Sequence, residues 1–219
     1  MPFCSRQSKM ITYRAKHENA FFKRDDLWTN IVQGYEIPPE WWSRLYEYPW
    51  ALEYAAPDMV VADMGCGWEQ RPFKDMLSKV CHKVYAVDQH WEAGKLEPHD
   101  NMEFVIADFT HHIDAIPDDS LDAVFCISVL EELGDTIPMA LHEFYRCLKP
   151  GGLCVLTCDV QYDMDKPLGP FGAVKLGNMI SSALSLGFEV QNGMDYDKYY
   201  AVNHEGFNLC VYHCVLVKP

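Results

Sequence analysis

The sequence contains no run of roughly 18 to 20 apolar residues, the length that a membrane-spanning helix needs, and its N-terminus has no apolar leader. Its nine cysteines are odd in number, form no Cys-x-x-Cys pair and mostly lie within apolar segments. This distribution is typical of reduced core thiols rather than of a disulfide framework. We therefore expect a soluble, cytoplasmic protein that has no membrane partner.

Positive charge is also scarce, since 18 Lys and Arg face 32 Asp and Glu and the formal net charge is −14. This balance repels the phosphates of nucleic acids and of anionic lipids. We therefore expect no nucleic-acid partner, and the balance favours a small acceptor. Residues 1–26 are an exception, with six basic and three acidic side chains, and fit either a solvated segment or a docking arm.

Internal repeats and low-complexity segments are absent, and the 13 Gly and 13 Pro are scattered. A chain of 219 residues that is 49% apolar can bury a large core. Residues 1–57, rich in aromatic side chains, are predicted to form an N-terminal helical lid or extension. Residues 58–219 are predicted to form the main domain, and we expect a monomer or homodimer.

Short apolar runs alternate with amphipathic stretches from residue 58 onward. The predicted strands of this region cover residues 59–63, 84–88, 104–108, 121–127 and 153–158. Because these strands are apolar on both faces, they need helices on both sides, which predicts an α/β fold with a Rossmann-like, doubly wound, mostly parallel sheet. After a helix over 171–186, strands at 188–191 and 207–217 have no helix between them and should form an antiparallel pair.

The first of these strands leads into a turn with two glycines, Asp63-Met64-Gly65-Cys66-Gly67, at the edge where open parallel sheets bind ligands. A dinucleotide site needs a third glycine where Gln70 stands, and Glu69 adds a negative charge where phosphates would lie. NAD and FAD are therefore disfavoured. A phosphate-free nucleoside with a zwitterionic amino-acid end fits better, held by the N–H groups of the loop and by Asp63.

The next two strands also end in acids. Asp88 lies 21 residues after Gly67, the spacing at which a carboxylate accepts hydrogen bonds from ribose hydroxyls. Asp108 precedes Phe109, and an acid beside an aromatic ring suits adenine. Each acid alone fits a helix cap or a solvated strand end equally well, but three acids on three successive strand ends favour a nucleoside site.

The order and spacing of these elements over residues 58–160 resemble the class I S-adenosylmethionine-dependent methyltransferase family. The matching motifs are residues 60–67 for the first strand, 84–88 for the ribose strand, 107–108 for the adenine site, 121–131 for the fourth strand and its loop, and 148–152 for the turn before the fifth. The resemblance implies a seven-stranded sheet with the last strand inserted antiparallel. It also implies S-adenosylmethionine as the cofactor and methyl transfer to a hydroxyl or amine of a small molecule or glycan component.

The resemblance further implies a set of cofactor-binding residues. These are Gly65, Cys66 and Gly67 at the methionine end, Asp88 at the ribose with Gln89 next to it, Asp108 and Phe109 at the adenine, and Ile127 and Ser128 beside the sulfonium. The Tyr-Pro-Trp element that begins at Tyr48 resembles one in small-molecule or glycan-associated members. Tyr48 and Trp50 either close over the cofactor or pack the N-terminal helix onto the sheet.

Two positions depart from the family pattern: Glu69 replaces the third glycine, and Glu131-Glu132 replaces a Glu-His pair, which excludes a catalytic histidine there. If the acceptor needs a base, the candidates are His90, His111, His112, His204 and Glu131. A single histidine of this kind is more often a surface or structural residue than a base. The acids at 159, 163 and 165 match no metal loop, so no metal is predicted. The alternative function is a non-catalytic scaffold or regulatory protein that binds the cofactor without turnover.

Overall fold

The computed structural model describes residues 19–67, 72–90, 99–161, 175–190, 193–197 and 209–219. The strands among them are β1 (Ala20–Phe21), β2 (Ile31–Val32), β3 (Tyr35–Glu36), β4 (Val60–Met64), β5 (Lys83–Asp88), β6 (Met102–Ile106), β7 (Leu121–Ile127), β8 (Leu148–Gln161), β9 (Glu189–Val190) and β10 (Leu209–Val217). The α-helices are α1 (Arg44–Leu52), α2 (Phe73–Ser78), α3 (Ile137–Cys147) and α4 (Leu176–Leu186). None of these helices is long and apolar enough to cross a membrane.

One sheet carries the site, with the strand order β1-β10-β8-β7-β4-β5-β6 and with β9 paired to β10. Strands β4 to β8 pair with one another in parallel. Strand β10 is antiparallel to both β8 and β9. The predicted Rossmann-like sheet with an antiparallel last strand is therefore confirmed, and the strand order reverses between β4 and β7.

The central strands bury side chains on both faces of the sheet. Val61, Ala86 and Phe125 belong to the core on the side of α1 and α2. Val87 and Val124 face the opposite core, which also includes residues of α3 and α4. Alternation of this kind places successive residues in two separate cores, which explains why these strands are apolar throughout.

The N-terminal segment is less helical than the sequence predicts. Helix α1 is present, but β2 and β3 form a hairpin and β1 pairs with β10 at the sheet edge. A two-residue strand carries no detectable periodicity, so its pairing depends on a tertiary contact: Phe21 is buried and meets the Tyr212 ring edge-on at 4.9 Å. Residues 1–18 lie outside the described residues, and the boundary at residue 57 stays a prediction.

Candidate functional site

A cavity of about 280 Å³ lies at the carboxyl edge of the sheet, where the strand order reverses. This position is the one at which doubly wound sheets bind ligands. All eleven predicted cofactor residues line it: Tyr48, Asp63, Gly65, Cys66, Gly67, Asp88, Gln89, Asp108, Phe109, Ile127 and Ser128. The structure thus brings together residues that come from five separate segments of the chain.

The turn after β4 is shaped by a contact that only glycine permits. Gly65 has a φ of +81°, and a Cβ atom at this position would lie 2.6 Å from Cγ2 of Val129. Residues with a Cβ atom rarely adopt this backbone conformation, and the distance from that Cβ to Cγ2 of Val129 is far below van der Waals contact. The glycine therefore allows the loop after β7 to close against the loop after β4.

The N–H groups of this turn are already used within the protein. Those of Gly65 and Cys66 donate to the Val87 carbonyl at 2.9 and 3.0 Å, and that of Gly67 donates to Asp88 Oδ2 at 2.8 Å. The expectation that these three groups bind the amino-acid end of a ligand is not supported. The turn therefore contributes to the shape of the cavity. Residues 68–71, which follow it, lie outside the described residues.

Asp63 is a buried acid with one unsatisfied oxygen. Its Oδ2 atom has no hydrogen-bond partner among the described residues, and the residue is 3% exposed. Burial raises the pKa of this carboxyl to about 7; the charge of Lys74 opposes the rise and that of Asp88 adds to it. A buried, unpaired acceptor beside a cavity favours a ligand with a cationic N–H group.

Asp88 ends β5 and is also buried. Its Oδ2 accepts from Gly67, and its Oδ1 accepts from the N–H of His90 at 2.9 Å. A carboxylate offers about four acceptor positions. Two of them therefore remain for a ligand.

Asp108 and Phe109 follow β6 and serve the protein as well as the cavity. Thr110 donates to Asp108 Oδ1 from its N–H at 2.9 Å and from its hydroxyl at 2.7 Å, and these bonds lower the pKa of that carboxyl. The buried Phe109 ring packs 5.5 Å from the Phe144 ring. These two residues therefore combine a turn, a core contact and a cavity wall.

Of the predicted base candidates that the structure describes, His90 lines the cavity and the others lie away from its wall. The side chains of His111 and His112 are 77% and 60% exposed, and neither lines the cavity. The turn at Asp108 and Thr110 directs the following residues outward. Glu131 is buried but does not line the cavity, and His204 lies outside the described residues.

Residues 62–156 match a family model described as a methyltransferase domain. Over this part of the chain, the sequence is similar to that methyltransferase family. S-adenosylmethionine is the cofactor of this domain. None of the curated proteins compared with the chain matches it.

Solved structures share the fold of the methyltransferase domain. The cyclase SpnF has a TM-score of 0.63 at 16% identity, over 81% of this chain and 82% of its own. An S-adenosylmethionine-dependent methyltransferase from Mesorhizobium loti scores 0.57 at 13% identity, over 78% and 97%. A TehB-like methyltransferase from Corynebacterium glutamicum scores 0.57 at 19% identity, over 83% and 95%. At these identities the likeness concerns the fold.

Helix α1 adds two residues to the methyltransferase site that the sequence reasoning missed. Arg44 lines the cavity, and its Nη1 donates to Glu47 Oε2 at 2.6 Å. Glu47 Oε1 accepts from the hydroxyls of Ser128 at 2.5 Å and Thr157 at 2.6 Å. Burial acts to raise the pKa of Glu47, but Arg44 and the two hydroxyls outweigh it and hold the pKa below its ordinary value.

This network fixes the cavity wall at Ser128. The residue has a φ of +49°, which is uncommon for a side chain other than glycine, and its N–H donates to the Thr157 carbonyl at 3.0 Å. The signal in the sequence was the spacing of Arg44, Glu47 and Tyr48. Residues three and four apart share one helix face, so this face of α1 meets the ends of β7 and β8.

The two rings of the Tyr-Pro-Trp element have different positions. Tyr48 lines the cavity and stacks on Phe73, with ring centroids 5.1 Å apart. Trp50 packs against Phe22 and His213, at 5.9 and 4.7 Å. Trp50 therefore attaches α1 to the sheet, whereas Tyr48 borders the cavity.

Proposed function

We propose that this chain transfers a methyl group from S-adenosylmethionine to an amine or hydroxyl of a small molecule or glycan component. The observation that carries the proposal is the set of acids Asp63, Asp88 and Asp108, which line one cavity with Gly65 and Gly67. Their order along the chain follows the order of the strands, so each acid has a different part of the cofactor within reach.

The charges at the β4 end of the cavity suit the amino-acid end of the cofactor. Asp63 offers its unpaired oxygen to the ammonium group. Arg44 uses Nη1 for Glu47 and Ser43, and a guanidinium has five N–H donors. No described residue takes its other donors in a hydrogen bond, so we assign them to the ligand carboxylate. The pair thereby replaces the loop N–H groups as the proposed site for the zwitterion.

The remaining wall suits a nucleoside without phosphates. Asp88 keeps two acceptor positions for the ribose hydroxyls. Asp108 and Phe109 border the place proposed for the base. The net charge of −14 supports the same conclusion, since it disfavours phosphate-bearing ligands.

The bound cofactor supplies a methyl group on a positively charged sulfur. The chain contributes position and exclusion of water, since transfer rates depend on holding the acceptor in line with the methyl group. Tyr48, Ile127 and Ser128 form the proposed wall around that group. The hydrogen bonds of Ser128 to Glu47 and Thr157 keep this wall in one conformation.

Isothermal titration with S-adenosylhomocysteine, the demethylated cofactor, tests binding. Asp88→Asn should weaken binding about tenfold, since it alters a charged hydrogen-bond acceptor. Asp114→Asn is the matched control, because the Asp114 side chain is 99% exposed. Absence of heat at millimolar ligand would refute the proposal, and quenching of NADH fluorescence would point to an oxidoreductase.

Transfer is tested with tritiated S-adenosylmethionine and pooled small amines, alcohols and sugars. Label in one pool supports an enzyme. Binding of the demethylated cofactor without label in any pool favours the scaffold that binds without turnover.

A further inference from the structure

A second group of charged side chains lies at the carboxyl ends of β7 and β8, beside the cofactor cavity. Glu131 belongs to a 3₁₀ turn, Leu130–Glu132, which follows β7 and packs against β8. Asp159 lies on β8, two residues after Thr157, so both side chains leave the same face of the strand. The Thr157 hydroxyl donates a hydrogen bond to Glu47 of α1. The side chain of Asp159, on the same face of β8, therefore also lies on the side of α1.

The Glu131 carboxyl is buried with one oxygen left without a partner. The residue is 8% exposed, its Oε2 atom has no hydrogen bond, and no ion pair is formed with any described residue. Arg44 is the cation that acts on both acids, but it is hydrogen-bonded to Glu47. With Asp63 included, four carboxyls therefore share one guanidinium.

Burial that is not compensated by a paired cation raises the pKa of both acids. Burial, and then the charge of Asp159, raises the pKa of Glu131 well above its ordinary value. Burial, and then the charge of Glu47, raises the pKa of Asp159 to about 6. Buried acids of this kind are stabilised by a cation that donates N–H bonds.

We propose that Glu131 and Asp159 bind the protonated amino group of the methyl acceptor, so that the substrate is an amine rather than an alcohol. This inference rests on the proposed function. An ammonium group brings several N–H donors, one of which can bond the unpaired Oε2 of Glu131. Its positive charge compensates the negative charge of Glu131 and Asp159. A hydroxyl brings one donor and no charge, and would leave both acids uncompensated.

The position of the two acids suits an acceptor. Ser128 lines the cofactor cavity and bonds Glu47, whose charge acts on both Glu131 and Asp159. The cation site therefore adjoins the wall proposed for the methyl group. Neither acid lines the cofactor cavity itself, but Glu132, next to Glu131 in the chain, does.

The acceptor nitrogen needs a free electron pair before it can bond a methyl group. Glu131, ionised in contact with the ammonium, accepts one of its protons at Oε2. The N–H bond breaks, an O–H bond forms, and the electron pair stays on nitrogen. Asp159, ionised beside it and the less buried of the two acids, then accepts this proton: the O–H bond of Glu131 breaks, an O–H bond forms on Asp159, and Asp159 releases the proton toward solvent.

The first test uses methylammonium chloride as the probe, because it is small enough for any amine site. The protein carries ¹³C-labelled glutamate, is saturated with S-adenosylhomocysteine, and is compared with sodium chloride at equal ionic strength. We expect a saturable shift of the Glu131 carboxyl signal with methylammonium only. Asp159→Asn should weaken this binding about tenfold, and Asp114→Asn should leave it unchanged. Equal shifts with sodium, or equal affinity in Asp159→Asn, would overturn the proposal.

The second test measures tritium transfer to matched pairs of amines and alcohols of the same skeleton. Label only in the amines, reduced at least tenfold in Glu131→Gln, supports the proposal. Label only in the alcohols overturns it. Glu131→Gln should retain its affinity for S-adenosylhomocysteine. If the wild type binds no S-adenosylhomocysteine, the proposed function fails; if it binds but the cation tests fail, only this inference fails.

Discussion

Replacement of Gly65 by alanine tests whether the contact between the β4 and β7 loops shapes the cavity. The new Cβ would lie 2.6 Å from Cγ2 and 2.8 Å from Cγ1 of Val129, at a φ of +81°. The backbone conformation costs about 1–2 kcal/mol for a residue with a Cβ. Crowding in a packed region adds about 1–3 kcal/mol. We therefore expect Gly65→Ala to lower the free energy of unfolding by about 2–5 kcal/mol.

The crowding part is separable, because both close atoms belong to one side chain. Val129→Ala removes them at its own cost of about 1–2 kcal/mol. In that background only the Cβ of residue 129 stays close, at 3.1 Å, so Gly65→Ala should cost mainly the backbone part, about 1–2 kcal/mol. The double-mutant cycle should therefore give a favourable coupling of about 1–3 kcal/mol.

Urea unfolding of the four proteins, followed by circular dichroism, gives these free energies. Titration with S-adenosylhomocysteine in the same proteins reports on the cavity, and Gly65→Ala should weaken binding while the double variant recovers part of it. A single variant as stable as the wild type would refute the reasoning. A coupling of zero would show that Val129 yields without cost.

Three further predictions concern charged residues. The Asp63 carboxyl has a pKa of about 7 in the free protein and must lose its proton to pair with the ammonium group of the ligand. Affinity for S-adenosylhomocysteine should therefore rise about tenfold per pH unit up to about pH 7 and then level off. Titration should show this slope in the wild type and none in Asp63→Asn, and a flat wild-type profile would contradict it. Arg44→Met should weaken the binding of S-adenosylhomocysteine at least tenfold. The affinity for 5′-methylthioadenosine, which lacks the carboxylate, should stay almost unchanged. Equal losses of affinity for both ligands would contradict the role of Arg44 in binding the carboxylate. Glu47→Gln should lower the free energy of unfolding by about 3 kcal/mol at neutral pH. Because the folded pKa of Glu47 lies below its ordinary value, its contribution is present above about pH 4.5 and is lost as the pH falls through the folded pKa. Urea melts should therefore show a deficit that shrinks in acid, and a deficit independent of pH would argue against the ionised network.

Local patterns were enough to predict the sheet and eleven of the residues that line the cavity. The apolar strands β4 to β8 form the sheet as predicted because both of their faces are buried. The acids Asp63, Asp88 and Asp108 reach one cavity because each directly follows or ends a parallel strand. In such a sheet, chain order and spatial position are linked by a simple rule.

The parts that the sequence did not predict depend on contacts between distant segments. Arg44 and Glu47 reach the site only because α1 docks on β7 and β8, a contact that joins residues 110 positions apart. The N–H groups of the first turn were expected to meet the ligand, but the end of β5 accepts them. His111 and His112 follow a strand of the site, yet the turn formed by Asp108 and Thr110 directs them to the surface.

A crystal structure with bound S-adenosylhomocysteine tests the central claim most directly. We predict the ligand carboxylate about 3 Å from Arg44, its ammonium group against Oδ2 of Asp63, its ribose on Asp88 and its base beside Asp108. A ligand bound elsewhere, or bound in this cavity without contact to Asp63 and Asp88, would contradict the account.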